Sequence, residues 1–279
     1  MTLRNTLALT LALLAAAAAR ADDPEPLTVD EIIAKTNHVA YYQGKDGRAN
    51  VTMTITDDAG QKRYRRFIIL RRDVPATDGA DGDQQFYVYF RLPADVKNMA
   101  FLVHKHTAAD RQDDRWLYLP GMDLVKRISS AEKRTPFVGS DYFYEDVSGR
   151  NLTDDHHKLV RTTDAYYVIE NTPKDPDSVE FSSYRMFVHR KTFLPVRVTY
   201  YDKSATPKKY RQYDVLDTKK IKGEAGDVEY VTPVRAVMRD LVKKTQTTLE
   251  YAAVRYDIGV PADVFTERRL RTPPREWLR

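Results

Sequence analysis

Alternation with a period of two is the feature that most constrains this chain. From Arg48 to Thr56, Val51, Met53 and Ile55 fall on one side and Thr52, Thr54 and Thr56 on the other, the pattern of a strand with one face buried. Asp57-Asp58-Ala59-Gly60 reads as a turn and Gln61–Arg71 as the returning strand. Strand patterns recur at Gln85–Leu92, Ala100–Thr107, Arg115–Leu119 and Leu124–Ile128. They continue at Lys158–Arg161, Tyr166–Asn171, Val179–His189, Val196–Tyr201, Lys208–Leu216, Val228–Met238 and Lys244–Ile258. Gly, Pro, Asn and Asp separate most of them, which is the punctuation of an antiparallel meander. So many strands cannot lie flat, because twist curls a large sheet into a barrel or an open half-barrel.

The expected fold class is therefore mainly β (α+β): a strongly curved antiparallel sheet, an incomplete barrel whose concave face is covered by helices. Thr28-Val29-Asp30-Glu31 matches a capping box, and Val29, Ile32 and Ile33 continue at helical spacing, so a first helix is predicted to run to about Val39. A short closing helix is predicted from Pro261. The segment Asp73–Asp83 has little apolar content to hold it and is expected to be a mobile loop. If the helical pieces fill the concavity, the result is an ordinary core. If they only cap it, a greasy cavity remains.

The N-terminus carries an export signal. Arg4 precedes an apolar run from Leu7 to Ala19, and Ala19-Arg20-Ala21 fits a small-x-small cleavage site. Cleavage after Ala21 makes residues 1–21 a signal peptide and residues 22–279 a single domain. With no cysteine at the junction or elsewhere, a lipid-modified cysteine, disulfides, thiol nucleophiles and cysteine metal sites are excluded. The expected location is the periplasm. Removing Arg4 and Arg20 lowers the net charge from +5 to +3, and the remaining charges are interspersed. Nucleic acid, which calls for a concentrated basic stripe, is not an expected partner. A monomer is expected.

Signals for catalysis are sparse. His104 and His106 form an H-x-H on a predicted strand, with both rings on one face. One strand supplies two ligands, however, and a catalytic zinc needs three plus a water. His156-His157 beside Asp154-Asp155 reads as a solvated cluster. No serine stands in a G-x-S-x-G elbow, and Gly79 and Gly82 sit in an acidic stretch that would repel phosphate. No cofactor and no resident metal are expected.

The middle of the chain is more distinctive. It reads Arg115-Trp116-Leu117-Tyr118-Leu119-Pro120, then Arg127-Ile128-Ser129, then Phe137-Val138-Gly139-Ser140-Asp141-Tyr142-Phe143-Tyr144-Glu145-Asp146. Ser140 or Asp141 would cap a helix carrying Tyr142 to Asp146, with Glu145 and Asp146 wet or paired with Arg127 or Arg134. With Val264-Phe265-Thr266-Glu267-Arg268-Arg269-Leu270 near the end, this order resembles the LolA-like family of outer-membrane lipoprotein-sorting proteins. The resemblance spans about Leu27 to Leu270. It implies a half-barrel that receives acyl chains, and a periplasmic carrier of a lipid, lipoprotein acyl chains or another hydrophobic ligand that works beside an RND-type transporter.

On that reading the ligand sits against Met53, Phe86, Val88, Phe90, Leu102, Trp116, Phe137 and Phe143. The alternatives are a metal-dependent hydrolase using His104 and His106, and an interaction module of a membrane transporter with no ligand of its own.

Overall fold

A computed structural model describes residues 26–76, 81–108 and 110–279. The predicted signal peptide lies outside these residues. Helix α1 spans Val29–Tyr41 and carries the capping box: the Thr28 hydroxyl accepts from the Glu31 amide, and the Glu31 carboxylate accepts from the Thr28 amide at 2.8 Å. The strands are β1 (Asp46–Thr56), β2 (Lys62–Asp73), β3 (Gln84–Leu92), β4 (Ala100–Lys105), β5 (Asp114–Leu119) and β6 (Leu124–Arg127). The second series is β7 (Asp155–Thr162), β8 (Tyr166–Pro173), β9 (Ser183–His189), β10 (Pro195–Tyr201), β11 (Lys209–Lys222), β12 (Glu229–Asp240) and β13 (Thr245–Tyr256). Two short helices complete the set, α2 (Tyr144–Ser148) and α3 (Arg268–Arg271).

The thirteen strands of the described residues join in one antiparallel sheet, ordered β6-β5-β4-β3-β2-β1-β13-β12-β11-β10-β9-β8-β7. The first six strands step outward from β1, and the last seven step back until β13 pairs with β1. The edges are thus β6 and β7, and they are consecutive in sequence. Residues 128–154 connect them across the inside of the curl, like a chord across an arc. The sheet does not close, and the fold class expected from the sequence is the one observed.

Strand parity follows the alternation. Val51, Met53, Ile55, Phe67, Phe86, Val88, Phe90, Phe101, Val103 and Leu249 point inward and form the main core with Phe137, Tyr142 and Tyr144 of the chord. The opposite face of β2–β5 is also covered. Ile68, Leu70, Tyr87, Ala100 and Leu102 pack there against Val260, Val264, Phe265, Leu270 and Leu278 of the C-terminal segment. The closing helix predicted from Pro261 is two pieces, a 3-10 turn at Ala262–Phe265 and α3, both on the outer face. Met99-Ala100-Phe101-Leu102-Val103 is apolar on both sides, and such a strand needs cover on both.

Two strand boundaries differ most from the prediction. Strand β9 begins at Ser183, leaving Val179–Ser182 outside it, and β11 runs on to Lys222, forming with β12 a long hairpin. Of the loop expected at Asp73–Asp83, residues 77–80 lie outside the described residues. Its flanks are tied down: the Val74 amide donates to the Asp83 carbonyl at 2.8 Å, and Tyr42 donates its hydroxyl to the Gly82 carbonyl at 2.7 Å.

Candidate functional site: a cavity under the chord

Inside the curl lies a cavity of about 400 Å³. Ten of the thirteen strands touch it, with only β4, β5 and β6 absent from its wall, so the sheet wraps around one space. Met53, Phe67, Phe86 and Val88 form one side, and Met238, Leu249, Tyr251 and Val254 the next. Val198, Tyr200 and Met186 continue the wall on the second arm, α1 adds Ile33, Val39 and Ala40, and the chord adds Phe137, Tyr142 and Val147. The volume is within the ~300–1,000 Å³ of small-molecule pockets. The side chains of α1 and the chord therefore cap the concavity without filling it.

Among the ligand-contact residues expected from the sequence, Met53, Phe86, Val88 and Phe137 line this cavity. Phe90 is fully buried one layer behind it, its ring 5.1 Å from Phe67 and 5.8 Å from Phe137. Phe143 is half-buried on the chord with the Arg211 guanidinium 3.9 Å from its ring centroid. Leu102 and Trp116 are a correction. They are directly paired across β4 and β5 and share the outer face, where Leu102 packs beneath the C-terminal segment and Trp116 beside it. Neither can reach the cavity, because successive residues of a strand project to opposite faces.

The chord is held by buried charge. Glu145 is 2% exposed, and its carboxylate accepts from Arg134 Nη1 at 3.0 Å and lies 2.9 Å from Lys133 Nζ and 3.6 Å from Arg150 Nη1. Burial pushes its pKa up, but the three cations outweigh that and hold it at about 2. Arg134 also binds Glu180, and Arg150 binds Asp155 at 3.0 Å. Arg211, from β11, donates to the Asp141 carbonyl at 2.9 Å and to the Asp146 carboxylate. The Asp141 carboxylate accepts from the hydroxyls of Thr245 and Thr247 on β13. A chord made of irregular backbone is thereby pinned to the strands it crosses.

Of the alternatives expected for Glu145, the pairing with Arg134 forms, while Arg127 pairs instead with Asp114. The helix starts later than predicted, at Tyr144. The Asp146 carboxylate accepts the Phe143 amide at 2.7 Å, while Ser140 and Asp141 serve the turn and the sheet. At Gly149, with φ of +78°, an added Cβ would lie 2.4 Å from the Tyr41 ring, so the chord and α1 meet there without room for a side chain.

Elsewhere, the two imidazoles of the H-x-H motif take separate partners. His104 Nε2 lies 2.7 Å from the Phe265 carbonyl under the C-terminal segment, and His106 sits between Asp83 at 2.7 Å and Asp114 at 3.2 Å. Among the described residues, no group of three or more His, Cys, Asp or Glu side chains is arranged to hold a metal ion. His157 turns out to line the cavity, with its Nδ1 2.7 Å from Asn171 Oδ1, while its neighbour His156 is exposed.

Sequence reasoning missed the tyrosines of the wall. Tyr41, Tyr142, Tyr184, Tyr200, Tyr213, Tyr251 and Tyr256 all face the cavity. Nothing local in the sequence says that phenols from α1, the chord and four strands share one space.

The architecture is shared with solved structures. A DUF1329 family protein from Desulfovibrio piger is 25% identical, with a TM-score of 0.75 over 86% of this chain and 96% of that one. An outer membrane lipoprotein-sorting protein domain from Vibrio parahaemolyticus is 24% identical, TM-score 0.73, over 86% and 97% of the two chains. A LolA superfamily protein from Nitrosomonas europaea is 21% identical, TM-score 0.63, over 87% and 99%. No curated protein matches the chain. A family model described as an uncharacterized protein matches residues 82–272, well over half of the sequence. The chain belongs to this family of uncharacterized proteins, and its fold is the LolA-like half-barrel that the sequence motifs resembled.

Proposed function

We propose that this protein is an exported carrier that holds a hydrophobic ligand in the cavity under the chord. The cavity itself carries the reading: a wrapped sheet and two coverings leave about 400 Å³ lined largely by apolar side chains. Apolar surface kept from collapsing offers a hydrocarbon group transfer from water worth about 25 cal/mol per Å² buried. The ligand contacts assigned from the sequence reduce to Met53, Phe86, Val88 and Phe137, joined by Ile33, Ala40, Val147 and Met186. The N-terminal signal motivates a periplasmic location and removal of residues 1–21, and the lipoprotein-sorting name of the Vibrio relative agrees with a sorting role. On this reading the protein transfers a lipid or lipoprotein acyl chains across the envelope beside an RND-type transporter.

Carriage without chemistry is the reading favoured over a hydrolase, since His104 and His106 are each engaged in a different structural contact away from the cavity. It is favoured over a ligand-free docking module because such a role gives no reason to maintain the space. Purification from the native envelope, followed by native mass spectrometry and solvent extraction, is expected to return one hydrophobic molecule per chain. A single ligand-free mass, with nothing extracted and no uptake of an added hydrophobe, would contradict the proposal.

A further inference from the structure

A wall meant only for hydrocarbon has no use for hydroxyl groups, yet this one presents several that the protein leaves unpartnered. Tyr142 is 7% exposed, lines the cavity, and its hydroxyl has no hydrogen-bond partner in the protein. Among the described residues, Tyr213 of β11 and Tyr251 of β13 likewise bond their hydroxyls to no protein group. Two other cavity tyrosines are satisfied: Tyr184 donates to Asp155 at 2.8 Å, and Tyr256 is 3.0 Å from the Thr232 hydroxyl. Tyr142, Tyr213 and Tyr251 are neighbours. Burial pushes the Tyr142 ionisation upward first, and Tyr213 and Tyr251 add to it, so all three stay protonated donors. A buried donor without an acceptor is costly, and native proteins retain few of them without a reason.

We propose that the ligand of this cavity carries an uncharged carbonyl oxygen, as in an ester, amide or ketone, which accepts hydrogen bonds from Tyr142 and its neighbours Tyr213 and Tyr251. The inference rests on the carrier reading and specifies its cargo. An uncharged acceptor fits because the charges on the chord are already paired: Glu145 with Arg134 and Lys133, and Asp146 with Arg211. A carboxylate placed among them would be desolvated beside cations that already hold acids, Arg134 with Glu145 and Arg150 with Asp155, while Arg48 of the cavity wall donates to the Trp277 carbonyl at 3.0 Å. A plain alkane would leave the three hydroxyls without acceptors. The recognised class is thus an oxygenated hydrophobe with the polar atom inside the cavity.

The test compares methyl palmitate, palmitate and heptadecane as competitors of a fluorescent apolar probe, in the wild-type chain and in Tyr142→Phe. The wild type is expected to bind the ester about tenfold more tightly than the alkane, the worth of one or two good hydrogen bonds, and palmitate more weakly than the ester. In Tyr142→Phe the ester's advantage is expected to shrink to about twofold, while alkane affinity is unchanged. The same variant, losing only an unpartnered hydroxyl, should melt higher than the wild type without ligand, so weaker ester binding cannot be ascribed to misfolding. Tyr251→Phe provides a second, independent loss of ester preference. Equal affinity for ester and alkane in the wild type, or a preference untouched in both variants, would overturn the inference and leave the carrier reading intact. No displacement by any of the three competitors would overturn the carrier reading and this inference together.

Discussion

Replacing Glu145 by Gln is expected to destabilise the protein by about 3–5 kcal/mol, because it leaves buried cations facing a neutral amide. Arg134, Lys133 and Arg150 converge on that carboxylate, and the Arg134 and Glu145 side chains are only 8% and 3% exposed. Removing one member of a buried network costs far more than the network contributes relative to an apolar core, since the remaining charges keep their desolvation penalty. The effect has a pH signature. The Glu145 pKa is depressed in the folded chain, to about 2 from 4.5, so the unfolded chain binds the proton more readily across that interval. Its stabilisation is complete above about pH 4.5 and drains away as pH falls towards 2. Urea titrations of wild type and Glu145→Gln should therefore show a large gap at pH 7 that closes in acid. A gap below 1 kcal/mol at pH 7 would mean that the chord is not held by this network.

Phe137→Ala is expected to cost about as much, in the ~3–5 kcal/mol range for a buried Phe truncated to Ala. Phe137 is 2% exposed, and its ring centroid lies 5.4–5.8 Å from those of Phe90, Phe101 and Tyr144. Its backbone is fixed as well: the amide donates to the Tyr142 carbonyl at 2.7 Å, and Val138 and Gly139 follow at φ of +49° and +74°. A segment so constrained cannot collapse into the space a lost ring leaves, which places the cost at the upper end of the range. Because Phe137 also faces the cavity, the same truncation enlarges the ligand space. Denaturation should show the stability loss, and competition binding should show bulkier hydrophobes accepted that the wild type rejects. A loss under 1 kcal/mol would show that the chord repacks freely.

Much of this was legible from the residues. The Thr28–Glu31 capping box fixed where α1 starts, since both of its reciprocal bonds form. Alternation with threonine on one side set the facing of Val51, Met53 and Ile55 correctly, because polar residues mark the other face. The same reasoning failed on β4. Ala100-Phe101-Leu102-Val103 has no polar marker, so Leu102 and its cross-strand partner Trp116 were assigned inward although the C-terminal segment covers them outside.

The chord was half legible. Its motifs placed it at the site, but its anchoring depends on contacts with β10, β11 and β13 made across 66, 70 and 106 residues of sequence. Lys133, Arg134 and Arg150 flanking a single Glu145 in an aromatic stretch were the available hint of a buried network. The tyrosine cluster left no local trace, since its phenols arrive from α1, the chord and four strands far apart in sequence.

The central claim is that a ligand occupies the space between the sheet and the chord. Its most direct measurement is a crystal structure of the protein with bound methyl palmitate. The expected result is a single extended chain beside Met53, Val88 and Val147, with its carbonyl oxygen within hydrogen-bond distance of the Tyr142 hydroxyl. An ester found only on the outer surface, with the cavity closed by the protein's own side chains, would contradict the account.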